Sequence, residues 1–372
     1  MKVMQQTSIF IRFMVLSICI LPIQLLAQVK PKPQASGQQE KVDDYLREKM
    51  ATRHIPGLSL AVVRDGRVIF AKGYGLANLE LSVPATDKTN FPIYSITKSF
   101  TAIATMMLVE DGKILLDDPV AKHLPGISPA GRSVTIRQLL NHTSGITNYD
   151  DRPLIPAEEV FDGTLPDWEK WAATFTMTSA PGERWEYGSI GYFLLGRLIE
   201  KISGKTYESF LQERIFSPLA MSETRLQNFD HLVPNRAAGY SRKAGAYLNA
   251  GRINPATEFS GGGLVSTVQD MAKWDAALYS EKLLKQASLE EMWTNAKLNN
   301  GQSVPSYGLG FGLTPFRGHK RIGHSGSGPG FVTAYSRFND KKVTVILFAN
   351  ADHEQIKIGE MANEIATFYF SL

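Results

Sequence analysis

Cysteine is nearly absent from this 372-residue chain: the single one is Cys19. A disulfide framework and a cysteine-based metal site are excluded, and so is a cysteine nucleophile anywhere past residue 19. Charge of one sign is also lacking. Lys and Arg number 40 against 36 Asp and Glu, for a formal +4, and no dense basic run offers a footprint for nucleic acid. Long apolar runs are missing beyond residue 27, so nothing further along reads as a spanning helix. No serine sits in a G-x-S-x-G elbow; GHSGS around Ser325 comes nearest and ends in serine. That argues against an α/β-hydrolase. No HExxH occurs, which removes the usual basis for a zinc hydrolase. Gly204-Lys205-Thr206 imitates the end of a P-loop, but Ile199 stands where the leading glycine belongs.

What is present suits a packed enzyme-sized domain. Apolar residues make up 43% of the chain, with five Trp, 13 Tyr and 19 Phe as anchors for a core. Residues 1–27 read as a secretory signal: Lys2 and Arg12 precede the apolar run FMVLSICILPIQLLA, and a cut after Ala27 is expected. Cleavage would remove Cys19 and take the formal charge from +4 to +2. No stable membrane anchor is then expected. Residues 28–37 (QVKPKPQASG) read as a flexible lead-in, and a helix is expected from Gln38, with Val42, Tyr45, Leu46 and Met50 on one face.

Two β-branched runs flank Asp65-Gly66, a hairpin signal. Residues 92–240 are mostly helical in pattern, with Gly204 as a helix stop and long loops between. A further helix is expected after Thr267, with Asp270 in its first turn. Strand patterns return in YGLGFGL, FVTAYSRF and KVTVILFAN, with Asn339-Asp340 as the last hairpin turn. A terminal helix would place Ile356, Ile358, Met361 and Ile365 on one side. The expected fold class is therefore α/β of the α+β type. One antiparallel sheet is built from both chain ends (residues 38–91 and 241–372), flanked by terminal helices, with a helical part at 92–240 inserted.

The chemistry centres on YSITKSF. Ser95 falls at or near a helix start, and Lys98 lies three residues on, one turn along the same face. A serine hydroxyl needs a base to take its proton, a desolvated lysine can serve, and a helix N-terminus supplies N–H groups for an oxyanion. S-x-x-K alone is weak, since about one chance match is expected in a chain of this composition. Its weight comes from the segments that follow in order: NHTSGI (141–146), PGERWEYGSIGY (181–192), GGGLVSTVQDMAKW (261–274) and GHSGSGPGF (323–331).

This ordered set resembles the serine β-lactamase and penicillin-binding protein superfamily, in the branch around class C β-lactamases, D-stereospecific peptidases and related esterases. The resemblance runs from about Val42 to the C-terminus. It implies Ser95 as the acylated nucleophile, Lys98 as its proton partner and Tyr187 as a second base. Which of Lys98 and Tyr187 takes the first proton stays open, and the two are treated as one coupled unit. It further implies His324-Ser325-Gly326 as the third motif on a strand bordering the site, with the N–H groups of Ser95 and Ser327 as oxyanion donors.

Two positions depart from the family pattern. Ser189 stands where asparagine is usual, offering one donor and shorter reach. His324 stands where class C β-lactamases carry lysine, and an ordinary histidine is mostly neutral at pH 7. The expectation is an exported serine hydrolase without metal or cofactor, acting on a small ester, amide or D-amino-acid peptide. The alternatives are a β-lactamase, a D-Ala-D-Ala carboxypeptidase, or a slowly deacylating penicillin-binding sensor. The expected partner is a small-molecule or peptide substrate, cell-wall derived ones included. A periplasmic location is expected ahead of release, and the oligomeric state stays open. His142 reads as a residue that orders its loop, Glu183 as a solvated charge, and the glycines at 261–263 and 308–312 as sites of close packing.

Overall fold

The computed structural model describes residues 34–147 and 174–371, apart from 229, 252, 254 and 305. The expected signal segment, 1–27, lies outside the described residues. The first helix, α1 (Gln34–Thr52), starts four residues earlier than Gln38. Strands β1 (Gly57–Arg64) and β2 (Arg67–Asn78) follow as a hairpin, and Asp65 and Gly66 at its tip both take positive φ, 49° and 71°. That backbone matches the twist of a two-residue turn and explains the Asp-Gly pair.

The short strands β3 (Val83–Pro84) and β4 (Phe91–Pro92) lead into α2 (Thr97–Glu110) and α3 (Ile136–Leu140). Next come α4 (Ile190–Ser203) and α5 (Tyr207–Leu211), then β5 (Arg225–Leu226), β6 (Tyr240–Lys243) and β7 (Ala246–Asn249). Helix α6 (Pro255–Gly262), β8 (Leu264–Ser266), α7 (Val268–Ala277) and α8 (Gln286–Met292) precede the last strands, β9 (Arg321–Gly328), β10 (Phe331–Phe338) and β11 (Val343–Ala349). Helix α9 (Ile358–Thr367) closes the chain.

The main sheet runs β3-β2-β1-β11-β10-β9, and every pairing is antiparallel. The two chain ends meet at its centre, where β1 pairs β11 with Leu60 opposite Leu347. Alternation divides the strands between two cores. Leu58, Leu60, Val62, Val345 and Leu347 pack with Val42 and Leu46 of α1 and Met361 and Ile365 of α9. Ala61, Val63, Ile346 and Phe348 face the other way, into the larger core with Trp274 of α7 and the helical block. Burial on both faces is why these strands read as unbroken apolar runs.

Several local signals are realised. Gly204 caps α4 with φ 70°. Thr267 caps α7, its side chain accepting from the Asp270 N–H. Ile356, Ile358, Met361 and Ile365 are all buried.

Two expectations are corrected. YGLGFGL forms no strand: around residues 307–312 there are only isolated bridges, Tyr307 to Gly312 and Gly312 to Gly323. Its glycines are there for close approach. At Gly310, with φ 80°, a Cβ would lie 2.3 Å from that of Ala102 in α2. The last hairpin turn is also longer than Asn339-Asp340. Residues 339–342 join β10 to β11, and Lys342 is the left-handed one, with φ 50°. Helix α7 falls where it is expected after Thr267, and α6 and α8 lie beside it beyond residue 240.

One buried ion pair fastens α7 to the sheet. Asp275 Oδ1 accepts from Arg337 Nη1 at 2.6 Å, Tyr335 Oη at 2.6 Å and Thr344 Oγ1 at 2.9 Å. Arg337 and Asp275 are both fully shielded from solvent, and the guanidinium also stacks 3.5 Å from the Tyr279 ring centroid. Breaking a buried pair leaves an uncompensated charge. Asp275→Ala should therefore lose about 3–5 kcal/mol of stability in urea denaturation; a loss below about 1 kcal/mol would show that the pair carries no such weight.

Candidate active site

Ser95 lies in the single 3-10 turn Tyr94–Ile96 that leads into α2. The turn is set from both sides. Strand β4 pairs with β8, the Ile93 N–H donates to Leu264 O at 2.9 Å, and Tyr94 takes a left-handed φ of 43°. Such a conformation is costly for a bulky residue and needs anchoring. The Tyr94 hydroxyl supplies it by donating to Pro329 O at 3.0 Å. Around this turn Tyr94 and Ile96 are buried, and Ser95 keeps partial access.

Lys98 is completely buried in the first turn of α2. Its ammonium donates to Ser95 Oγ at 3.1 Å, to Ser189 Oγ at 3.2 Å and to Gly261 O at 2.8 Å. Each of its three donors thus has an acceptor. Ser189 is the residue before α4 and makes no side-chain cap there; its hydroxyl serves Lys98 instead. Tyr187 stands two residues earlier, 37% exposed, with its ring centroid 5.1 Å from Lys98 Nζ. The structure brings Ser95, Lys98, Tyr187 and Ser189 together, with Ser189, expected on the substrate side, bonded to Lys98.

The loop carrying Tyr187 is held by NHTSG. His142 takes a left-handed φ of 61°. Its carbonyl accepts from the Glu186 N–H at 2.9 Å, and its Nδ1 accepts from the Gly188 N–H at 3.3 Å. Those bonds bracket Tyr187 on both sides, and the two rings pack at 4.4 Å. The loop-ordering role expected of His142 thus has a geometry. Burial pushes its imidazole well below the ordinary value, and the neighbouring Lys98 and His324 act the same way. Glu183 is exposed and accepts from the Ala180 N–H at 2.9 Å.

The opposite wall is β9, an edge strand of the main sheet. A cavity of about 370 Å³ is lined by Ser95, Tyr187, Tyr307, Gly312 and, from β9, Arg321, Gly323, His324, Ser325 and Ser327. Gly326 is not on that lining. A Cβ there would lie 2.1 Å from Ile93 O, so its absence lets β9 close against the segment before Ser95. Ser327 and Ser95 both line the cavity; the resemblance implies their N–H groups as the oxyanion donors.

His324 differs from a free substrate-facing histidine. Nδ1 lies 2.7 Å from Ser325 O, and a carbonyl can only accept, so Nδ1 carries the proton. Nε2 is then the acceptor for the Tyr307 hydroxyl at 3.1 Å. Burial first, then the Lys98 charge, pushes His324 down to about 3. Both ring nitrogens are committed within the protein. Tyr307 and Arg321 have no local sequence signature. Tyr307 sits in a glycine-rich irregular segment, and Arg321 precedes the motif by three residues.

An antiparallel sheet closed by terminal helices, with a buried Lys-Ser pair at a helix start, defines the fold and site of serine acyl-transfer proteins. Comparison with known proteins agrees: the Beta-lactamase family profile matches residues 42–363, and the chain belongs to that family. Penicillin-binding protein 4* of Bacillus subtilis (strain 168) is 30% identical over 330 residues, spanning 82% of this chain and 71% of the relative. Among solved structures, the octameric penicillin-binding protein homologue from Pyrococcus abyssi is 34% identical with a TM-score of 0.73, covering 87% of this chain and 76% of the other. The D-amino acid amidase from Ochrobactrum anthropi SV3, complexed with L-phenylalanine amide, is 26% identical with a TM-score of 0.76, covering 90% and 96%.

The depressed His324 has a consequence for stability. An unfolded histidine takes a proton below about 6.5, whereas the folded one stays neutral down to about 3. The unfolded state thus binds more protons in that window, and stability falls as pH drops below about 6.5. At pH 5 the loss from this group should be roughly 2 kcal/mol. Melting temperatures at pH 7.5 and pH 5 should show a smaller acid loss in His324→Gln than in the wild type; equal losses would refute the assignment.

Proposed function

We propose that the protein is an exported serine hydrolase that works through a Ser95 acyl-enzyme on a small ester, amide or D-amino-acid peptide. The observation that carries this reading is the contact between the fully buried Lys98 ammonium and Ser95 Oγ at 3.1 Å, with that same serine on the wall of an open cavity. Serine and lysine so placed form a nucleophile with a proton partner. Residues 1–27 support export, with the periplasm as the site of action.

The chemistry then follows in two halves. Ser95 Oγ attacks the substrate carbonyl carbon from the form of the Lys98–Tyr187 unit that is one proton short, with either the lysine as amine or the tyrosine as phenolate, and the serine proton passes to that unit. The tetrahedral oxyanion is held by the N–H groups of Ser95 and Ser327, a kind of contact worth roughly 10²–10³ in rate per donor. As the carbon–oxygen or carbon–nitrogen bond breaks, the leaving group takes that proton. A water then attacks the acyl-enzyme, gives a proton to the same unit and restores Ser95. His142 keeps Tyr187 in place throughout, and Ser189 holds Lys98.

Two points favour an ester, amide or D-peptide over a β-lactam. His324 is neutral with both nitrogens occupied, so it cannot hold a carboxylate beside the scissile bond. The likeness to a D-amino acid amidase supports the amide side. The mature protein should hydrolyse p-nitrophenyl butyrate with little cleavage of a chromogenic cephalosporin, and Ser95→Ala should lose ester turnover by roughly three or more orders of magnitude. Activity surviving in Ser95→Ala would sink the mechanism. Efficient cephalosporin turnover would overturn the substrate reading alone. A persistent acyl adduct in intact mass, without turnover, would favour the slowly deacylating sensor.

A further inference from the structure

The cavity contains a charge that the proposed acyl-transfer chemistry does not use. Arg321 begins β9, and its Nε donates to Thr314 O at 3.2 Å. Its two terminal nitrogens have no acceptor and no acid partner among the described residues. Three other arginines that reach into the structure are matched: Arg53 with Glu360, Arg137 with Asp117 and Glu291, Arg337 with Asp275. Burial lowers the affinity of the Arg321 guanidinium for its proton, and no carboxylate pulls the other way. The side chain is half-buried, so its terminal nitrogens stay within reach of the cavity and are open to an anion that enters it.

Its placement is specific. In a strand, residues two apart share a face, so Arg321, Gly323, Ser325 and Ser327 look the same way, and all four line the cavity. Arg321 Nη1 lies over Gly323, 3.3 Å from where a Cβ would be. Thr314 and the bridge between Gly312 and Gly323 fix that end of the cavity. From Gly323 to Ser327 the strand advances about 13 Å, at about 3.3 Å per residue. A substrate carbonyl at Ser95 and Ser327 would therefore meet the guanidinium only through a substituent reaching about 10 Å along β9. An extended chain of about eight bonds spans that gap; a carboxylate adjacent to the scissile bond does not.

We propose that Arg321 forms an anion subsite at the far end of the catalytic cavity, selecting ester, amide or peptide substrates that carry a carboxylate about 10 Å from the scissile carbonyl. This deepens the serine hydrolase reading and rests on it. A guanidinium suits the task because its planar fork meets a carboxylate with two parallel N–H bonds, and Nη1 and Nη2 are the nitrogens left over. At Gly323 a Cβ would lie 2.1 Å from Tyr335 O, so its absence lets β9 close on β10 with the guanidinium lying over the strand.

The test compares matched pairs of substrates. One pair places the charge on the acyl side, as the p-nitrophenyl monoester of suberic acid and its methyl-capped form. The other places it on the leaving group, as the butyrate ester of 4-(4-hydroxyphenyl)butanoic acid and its methyl ester. For one of the two pairs, kcat/KM should favour the free acid by roughly ten- to hundredfold. Arg321→Gln should bring that ratio close to one, and Arg321→Lys should restore part of it. No preference in either pair would overturn the proposal. So would a preference that survives Arg321→Gln, or a variant that slows acid and capped forms alike. Binding separates this from the nucleophile reading. Suberate should raise the melting temperature of Ser95→Ala and leave Ser95→Ala/Arg321→Gln unmoved. That result would uphold the subsite even if Ser95 proved not to be the nucleophile, and equal shifts would count against it.

Discussion

The buried ammonium of Lys98 is the constraint around which the site is arranged. Taking such a charge out of water costs several kcal/mol unless each donor finds an acceptor. Here the acceptors come from three separated stretches: Ser95 one turn back, Ser189 before α4, and the Gly261 carbonyl near the end of α6. None of the three can move away without stranding a donor. The requirement therefore joins α2, α4 and α6 at one point, and it accounts for the order of segments that stood out in the sequence. The strained Tyr94 belongs to the same economy of position: it turns the chain from β4 into the helix so that Ser95 faces outward while Lys98 stays inside.

The single positive charge also shapes its neighbours. His142 and His324 both sit within its field, and protonating either would place like charges together in a poorly solvated space. Both are held neutral, and each ring is then free to accept from a donor that orders the site. His142 accepts from the Gly188 N–H and steadies Tyr187; His324 accepts from Tyr307. Burial raises Tyr307 and Tyr192 well above the ordinary phenol value, so they remain donors, Tyr192 to Leu140 O and Tyr307 to His324. Neutral rings thus stand around the ammonium, and the largely buried Glu258, pushed up by burial and pulled down by the Lys98 charge, is an acid within its field. Lys98 acts at the nucleophile, and Arg321 is a second, remote cation.

How much of this could be read from the residues depends on how local the cause was. Hairpin β1–β2 was legible because Asp65-Gly66 fixes a turn by itself, and β10 and β11 because both faces are buried and the runs are unbroken. The start of α7 was legible in Thr267 and Asp270. Ser95, Lys98 and Tyr187 were legible only as an ordered set, since each alone is a common residue. YGLGFGL misled because its alternation imitates a strand, whereas its glycines answer to backbone and side chains far away, such as Ala102 beneath Gly310. The sheet β4-β8-β5 has strands of two and three residues, too short for any period to show. The commitment of both His324 nitrogens depends on Tyr307, 17 positions away across an irregular loop, and no spacing rule reveals it.

The division of labour between the two walls follows from their construction. The helix-borne wall carries Ser95 and Lys98, the proposed nucleophile and its proton partner, where Lys98 is overdetermined by its acceptors and tolerates little change. The strand-borne wall is β9, anchored through β10, whose Arg337 and Tyr335 are tied to Asp275 in the core. Arg321, Gly323, Ser325 and Ser327 line the cavity at regular intervals, and His324 borders it from the alternate position. Substituting along that face alters what the cavity recognises at a chosen distance from Ser95 while the backbone that offers the Ser327 N–H stays in register. A neutral histidine in the third motif and an arginine three residues before it are two settings on one strand, and the arginine's charge is one of the influences that keep the histidine neutral. The first removes charge near the scissile bond, and the second supplies it further out.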